Sequence, residues 1–362
     1  MRGEQFLDPD RISLARARRG LTKSDLARKL EVTPRTVTRY ETDGAPVNSA
    51  ELLSQALGFP MAFFSRPGAP MLDMDRVSFR AARRAGARQR HAAVAAGALG
   101  VEIDGWISTR FNLPQVSVPE MVEHPVKAAR DLRTDWSLGT KPLPNAVQLA
   151  ESKGIRVYTL PPIAEAVDAY STWYEGVPYI FLSRRRSPER MRFDVAHELG
   201  HLVLHGTSAC DNTELEREAD RFASEFLMPR RSIPEYLRQN PSVREILQVR
   251  SQLKVSAMAL TYAAHSAGRI SDWQYRQLCI DLTNQGYRSG EPGGMPRHEM
   301  SRVFPQVLTN ERASARDIAN DLNVPVEEVR ALTFGVELRV ASDDSDVPHA
   351  SLRGGSRHLR VV

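Results

Sequence analysis

At 362 residues, with 41% hydrophobic and 26% charged residues, the chain has room for two or three domains and the composition of a globular protein, which excludes disordered and fibrous classes. No apolar run approaches the 18–20 residues or so of a bilayer span, Met1–Phe6 has no apolar signal-peptide core, and Cys210 and Cys279 are too few for a disulfide framework. These features lead us to expect a cytoplasmic protein with reduced thiols and no membrane partner. The net charge of +5 is modest, but nine Lys/Arg fall between residues 11 and 40 against only Asp25 and Glu31. Such a concentration suits phosphate neutralisation, with a solvated helical surface as the plainer alternative.

Residues 8–66 read as short helices, because Ile12, Leu14 and Ala15, then Leu26, Ala27 and Leu30, then Val32 and Val37, then Leu52, Leu53, Ala56 and Leu57 recur at helical spacing. Thr22 and Asp25 have the N-cap arrangement, and Ser65–Pro70 reads as a linker. A long Ala-rich helix or helix pair is expected over 75–112, opened by Val77-Ser78-Phe79-Arg80, followed by helices at 125–136 and 142–151. Ile155–Tyr158 reads as a strand, and Ala169–Trp173 with Pro178–Leu182 as a hairpin turning at Glu175-Gly176. Helices are expected at 188–205 and 213–227 and through most of 240–335, interrupted by the Gly/Pro loop 289–297. The polar tail beyond 340 should be mobile. The resulting fold class is mainly α with a small β-sheet. Its expected divisions are an all-α domain over 8–66, a central α+β domain with a helical lead-in over 75–235, a helical C-terminal region over 240–338 and a tail over 339–362.

His197-Glu198-Leu199-Gly200-His201 carries the HExxH pattern inside a helical segment. An i,i+4 pair projects from one helix face on adjacent turns, so two imidazoles can grip one cation. Glu198, beside the first histidine, is placed to take a proton from a water that zinc has acidified and to pass it to a leaving amine. Phe193, Val195, Ala196, Leu199, Leu202 and Val203 put the histidines in an apolar interior, where an unsatisfied polar group is costly. Gly200 leaves room for a close neighbour. A third ligand is expected from the next helix, in Leu215–Ala223. Glu216 can bind metal while Asp220 accepts the spare N–H of a ligand histidine, and Glu218 is the competing ligand. Two histidines, one carboxylate and an open position suit catalytic rather than structural zinc. His205 is rotated about 80° from the ligand face, which favours a supporting role.

The blocks Arg192–His205, Glu216–Ala223 and Phe226-Leu227-Met228-Pro229 resemble the ImmA/IrrE family of metallopeptidases over roughly residues 125–235. The resemblance implies a gluzincin-like zinc endopeptidase that cleaves a helix-turn-helix repressor in a stress or mobile-element response. By it, His197, His201 and Glu216 are the zinc ligands and Glu198 is the general base. In the related gluzincin pattern the ligand carboxylate stands four residues before an acid or amide, which favours Glu216, paired with Asp220, over Glu218. Relatives often carry Asn where this chain has Asp220, a departure that keeps its hydrogen-bonding capacity. Pro178–Leu182 is expected to offer a sheet edge to an extended peptide, with a core strand as the alternative.

Residues 11–60 resemble the XRE, or Cro/repressor-type, helix-turn-helix. Lys23–Leu30 would be the supporting helix, Glu31-Val32-Thr33 the turn and Pro34–Tyr40 the recognition helix. Leu26, Leu30, Val32 and Val37 would face the core, leaving Thr33, Arg35, Thr36, Thr38 and Arg39 to meet DNA. Leu253–Leu260 and Ala315–Pro325 have a similar cadence, and a packing role is expected for both. The expected partners are duplex operator DNA, a repressor substrate and, for assembly, a second copy of the chain. The competing reading is a transcription regulator whose peptidase-like domain senses a ligand or dimerises without turnover.

Overall fold

Capping side chains set where the N-terminal helices begin. A computed structural model describes residues 6–73, 78–80, 86–121, 124–164, 167–206, 213–308 and 313–335; the expected tail 339–362 and Cys210 lie outside them. After β1 (Phe6–Leu7), Asp8 accepts the Arg11 N–H at 3.0 Å and opens α1 (Pro9–Arg18). Thr22 and Asp25 form a reciprocal capping box at the start of α2 (Lys23–Lys29). Thr33 caps α3 (Pro34–Tyr40), where Pro34 occupies the first turn and its missing N–H costs nothing. β2 (Ala45–Pro46) returns antiparallel to β1 before α4 (Ala50–Leu57). Ile12, Leu26, Val37, Leu53 and Phe63 are wholly buried in this core, whereas Val32, expected there, is only half-buried.

β3 (Ser78–Arg80) precedes α5 (Ala87–Ser108), and α6 (Pro125–Asp135) and α7 (Ala146–Ser152) lead into the main sheet. That sheet has the order β3-β5-β6-β4, with β4 (Arg156–Thr159), β5 (Ala169–Tyr174) and β6 (Val177–Leu182). β5 and β6 form the expected hairpin, and Glu175 and Gly176 both take positive φ, 49° and 77°, as a two-residue type I′ turn requires. β4 joins β6 in parallel, and β3 joins β5 antiparallel. Tyr170 and Phe181 stack at 4.6 Å within the sheet. Helices α8 (Pro188–Leu204) and α9 (Thr213–Leu227) pack on each other, and α8 also lies on β5 and β6. Short α10 (Ile233–Tyr236), then α11 (Val243–Leu253), α12 (Ala257–Ser266) and α13 (Asp272–Asn284), precede the loop that bears the expected Gly/Pro run. α14 (Val303–Leu308), α15 (Ala315–Leu322) and α16 (Val326–Leu332) complete the described chain. No described helix is long and apolar enough to cross a membrane.

The chain divides into two compact units that differ from the expected divisions. One comprises Met1–Met71, Ala95–Pro114 and Ser301–Val362; the other comprises Leu72–Val94 and Gln115–Met300. Buried polar ties explain the regrouping. In the first unit Glu328 on α16 bonds Arg18 at 2.7 Å and Arg19 at 2.5 Å, and the Trp106 indole N–H of α5 donates to Asp321 at 2.8 Å. Ala315–Pro325 therefore packs against its own unit. In the second, Glu299 pairs with the buried Arg192 of α8 and caps α7 by accepting the Ala146 N–H at 2.7 Å. Arg250 of α11 bonds Glu291 at 2.8 Å, both side chains being buried.

Burial pulls the Arg18 guanidinium below its ordinary range and Glu328 opposes that pull. Replacing Glu328 by Gln leaves Arg18 a buried cation without its counter-charge. Such a loss costs about 3 kcal/mol or more, and equilibrium urea unfolding of the full chain should show a destabilisation of that order. An unchanged midpoint would mean that the pair carries no net stability.

Candidate metal centre and nucleic-acid face

Helix α8 begins where Ser187 accepts the Arg190 N–H at 3.2 Å and continues for 17 residues, enough to stack residues 197 and 201 on one buried face. His197, Glu198 and His201 are at most 2% exposed. Burial pulls the His201 imidazole down to about 4, so it is neutral near pH 7. Helix α9 passes α8 at Gly200: a Cβ there would lie 3.1 Å from the Phe222 ring and 3.2 Å from the Ala219 Cα. That close passage brings Glu216 onto the two histidines, at 3.4 Å from His197 Nε2 and 3.0 Å from His201 Nε2. The two Nε2 atoms are themselves 3.0 Å apart, and one ligand atom from each of the three residues lies within 4.8 Å of the others.

Ionised carboxylates only accept hydrogen bonds, and with a cation taking the place of a proton between Glu216 and the two Nε2 atoms this rule assigns the tautomers around the cluster. Asp220 Oδ1 lies 2.9 Å from His197 Nδ1, so Nδ1 carries the proton and Nε2 keeps its lone pair. Glu218 Oε2 lies 3.0 Å from His205 Nε2, which therefore donates, leaving His205 Nδ1 to accept. His201 Nδ1, 3.0 Å from His205 Nδ1, must then be the donor, and its Nε2 is also a lone pair. Two imidazole lone pairs and a carboxylate would then converge on one point, a donor set that suits a divalent cation with N/O preference such as zinc. Glu218 is drawn away from the cluster by His205, and Glu216 stands in it.

Glu198 is wholly buried, and its Oε2 accepts a hydrogen bond from the Ser171 hydroxyl of β5 at 2.7 Å. Sequence reasoning missed Ser171, which has no signal beyond its place in a strand. The expected peptide-binding edge at Pro178–Leu182 is corrected: β6 is flanked by β5 and β4, and β3 covers the other edge of β5, pairing Ser78 with Ser171. A cleft of about 570 Å³ opens onto His197, Glu216 and Asp220 between the segment 185–190 and the loop 287–291.

In the N-terminal unit Thr33, Arg35, Thr38 and Arg39 of the α3 region are exposed and Thr36 is half-buried. Thr33 and Thr36 bond each other at 3.0 Å as part of the cap, which leaves the arginines as the less committed groups. Lys29, Arg35 and Arg39 make no side-chain ion pair or hydrogen bond among the described residues. The expected nine-residue basic surface is smaller than its sequence suggests. Arg11 pairs with Glu102 and Arg16 with Glu41, each at 2.5 Å, while Arg18 and Arg19 bond Glu328.

Residues 150–265 match the family model described as the IrrE N-terminal-like domain, a peptidase family, and residues 12–64 match a helix-turn-helix model. No curated protein matches the chain. The chain is thus similar to XRE-type helix-turn-helix domains over residues 12–64 and to the IrrE N-terminal-like domain of a peptidase family over residues 150–265.

Proposed function

We propose that the chain is a DNA-binding regulatory zinc metallo-endopeptidase of the cytoplasm that cleaves a partner repressor of the helix-turn-helix type. The observation that carries this reading is the convergence of the His197 and His201 lone pairs with Glu216 immediately beside Glu198. His197, His201 and Glu216 would hold zinc; Asp220 orients His197, and Glu218 orients His201 through His205. When bound, zinc polarises a peptide carbonyl and makes water a stronger acid. Glu198 takes the proton of the attacking water and returns it to the leaving amine nitrogen, with the Ser171 hydroxyl fixing the carboxylate from one side. Thr33, Arg35, Thr36, Thr38 and Arg39 present the recognition helix to duplex DNA, the arginines supplying the charge.

One observation favours a second reading, in which the peptidase-like domain is a sensor or dimerisation module without turnover. Glu198 is wholly buried, and β3 pairs along the strand that carries its partner Ser171. The two readings differ in what the Glu198 carboxylate does. Glu198→Gln keeps its size and can still accept from Ser171, but it cannot take a proton. Loss of a positioned base costs about 10²–10⁴-fold in rate. Cleavage of the partner repressor in cells should therefore nearly vanish, with zinc content and operator binding unchanged. A variant that still switches its target genes normally favours the sensor.

The full chain should bind one zinc ion, removable by chelation. His205→Ala removes the acceptor that fixes the His201 tautomer and should weaken zinc affinity about 10–100-fold, while stoichiometry at saturation stays at one per chain. Competition with a chromophoric chelator measures both quantities, and equal affinity in wild type and variant would remove His205 from the centre.

Only Arg28, Lys29, Arg35 and Arg39 are fully exposed among the nine basic residues of 11–40. Four phosphate contacts correspond to a slope of about −3 to −4 in log K against log salt. Arg35→Ala should weaken binding to the gene's own upstream DNA and flatten that slope by about one. No affinity for that DNA at low salt would make the helix-turn-helix a protein-contact module.

A further inference from the structure

The space in front of His197 and Glu216 has two unlike halves. One is the cleft walled by Arg185, Arg186, Arg190 and Arg288. The other is a groove of about 480 Å³ in which Phe193, Met258, Ala259 and Tyr262 form an apolar wall beside Arg217 and Arg221, both paired with Glu214. The two share Arg190, Asp220, Ser256 and Met258, so they are continuous past the candidate centre. Phe193 and Met258 are half-buried, and Tyr262 is 47% exposed, which leaves an apolar surface open to a ligand side chain.

The charges of the cleft are unequally committed. Among its carboxylates, Asp168 accepts from Arg186 at 2.9 Å, Asp220 from His197, and Glu216 faces the two imidazoles. Glu291 is bonded by Arg250, yet burial pushes its carboxyl up to about 7, so it is only partly charged near neutrality. Arg190 leans on Asp194 at 3.2 Å. Arg185 and Arg288 are exposed, and their side chains have no ion pair or hydrogen bond among the described residues. Two uncommitted guanidiniums at the mouth of a partly enclosed cleft favour a planar carboxylate, which each can bind with two parallel N–H donors. A nucleic acid would match the arginines but not the apolar wall of Phe193, Met258 and Tyr262 beside them.

We propose that this space selects a peptide segment in which an acidic side chain stands near a bulky apolar one, with Arg185 and Arg288 receiving the carboxylate and Phe193, Met258 and Tyr262 the apolar group. The assignment rests on the peptidase reading for its substrate, and it names the residues that would set sequence preference rather than those that do chemistry.

The test uses the zinc-loaded full chain and a set of internally quenched peptides of equal length. Each carries Leu or Ala at one position and Glu, Gln or Lys at its neighbours on either side. Peptides combining Glu with Leu should be cleaved with a kcat/KM about 10- to 100-fold above their Lys counterparts, the size expected for charge-assisted hydrogen bonds, mostly through KM. The double variant R185E/R288E should reverse the preference towards Lys, and Tyr262→Ala should reduce the preference for Leu over Ala while keeping that for Glu. Cleavage without acidic preference, or a preference that survives the double charge reversal, overturns the assignment and leaves proteolysis standing. If no peptide is cut, fluorescence anisotropy with the same sequences decides. Binding that prefers Glu and reverses in R185E/R288E upholds the assignment while removing proteolysis, and binding without that preference overturns it. A preference that disappears when the peptide C-terminus is amidated overturns the side-chain assignment in favour of a terminal carboxylate. Loss of duplex DNA affinity in R185E/R288E with peptide selection unchanged overturns it in favour of a nucleic-acid surface.

Discussion

The close passage of α9 over α8 at Gly200 constrains the candidate centre more than any single ligand does, because it fixes the distance from which a carboxylate can reach the two imidazoles. A side chain at 200 would press on the Ala219 backbone and the Phe222 ring. With glycine there, Ala219, Phe222 and Ala223 bury against α8, and helical geometry carries Glu216 and Asp220 to the histidine face one turn apart. The same packing presents Glu218 to His205 instead. Three acids within five residues of one helix thus meet different atoms, Glu216 the two inner Nε2 atoms, Asp220 the His197 Nδ1 and Glu218 the His205 Nε2, and the contact of each follows from its angle on α9 rather than from its chemistry.

Hydrogen bonding then turns a group of polar side chains into a directional donor set. Each histidine has two equivalent ways to hold its proton in isolation. Asp220 on one side, and Glu218 acting through His205 on the other, offer acceptors to the Nδ1 side, which favours Nδ1 donors and turns both Nε2 atoms inward. Burial keeps His201 neutral. The proposed chemistry depends on this orientation, since an imidazole presenting N–H to the centre could not ligate. Glu198 is oriented in the same manner by Ser171. It is completely buried, with β3 alongside β5, and whether its carboxylate moves a proton is what separates a peptidase from a sensor built on the same ligands.

Charge in the N-terminal unit is divided between structure and surface. Arg11 and Arg18, which are buried, and Arg16 and Arg19, which are half-buried, are tied to Glu102, Glu41 and Glu328. A guanidinium held this way adds little to the field that duplex phosphates would meet. The exposed cations are concentrated instead on the end of α2 and on α3, the pair of helices expected to approach DNA. Only part of the positive charge of the segment therefore belongs to its recognition surface.

Local patterns made much of this legible in the sequence. The i,i+4 histidines with Glu198 between them, the Thr22/Asp25 capping box, Pro34 in its first turn and the Glu175-Gly176 hairpin all act over four residues or fewer, so chain geometry alone sets them. Helical periodicity located α8 and α9, and the spacing of Glu216 and Asp220 placed both on one face. Tertiary structure decided what depends on distant partners. The parallel pairing of β4 with β6 filled the edge expected to take a peptide, Glu328 tied down Arg18 across some 310 residues of sequence, and Ser171 met Glu198. It also decided that Glu218 serves His205. None of these has a period or a motif, because side chains far apart in sequence meet only after the helices and strands have packed.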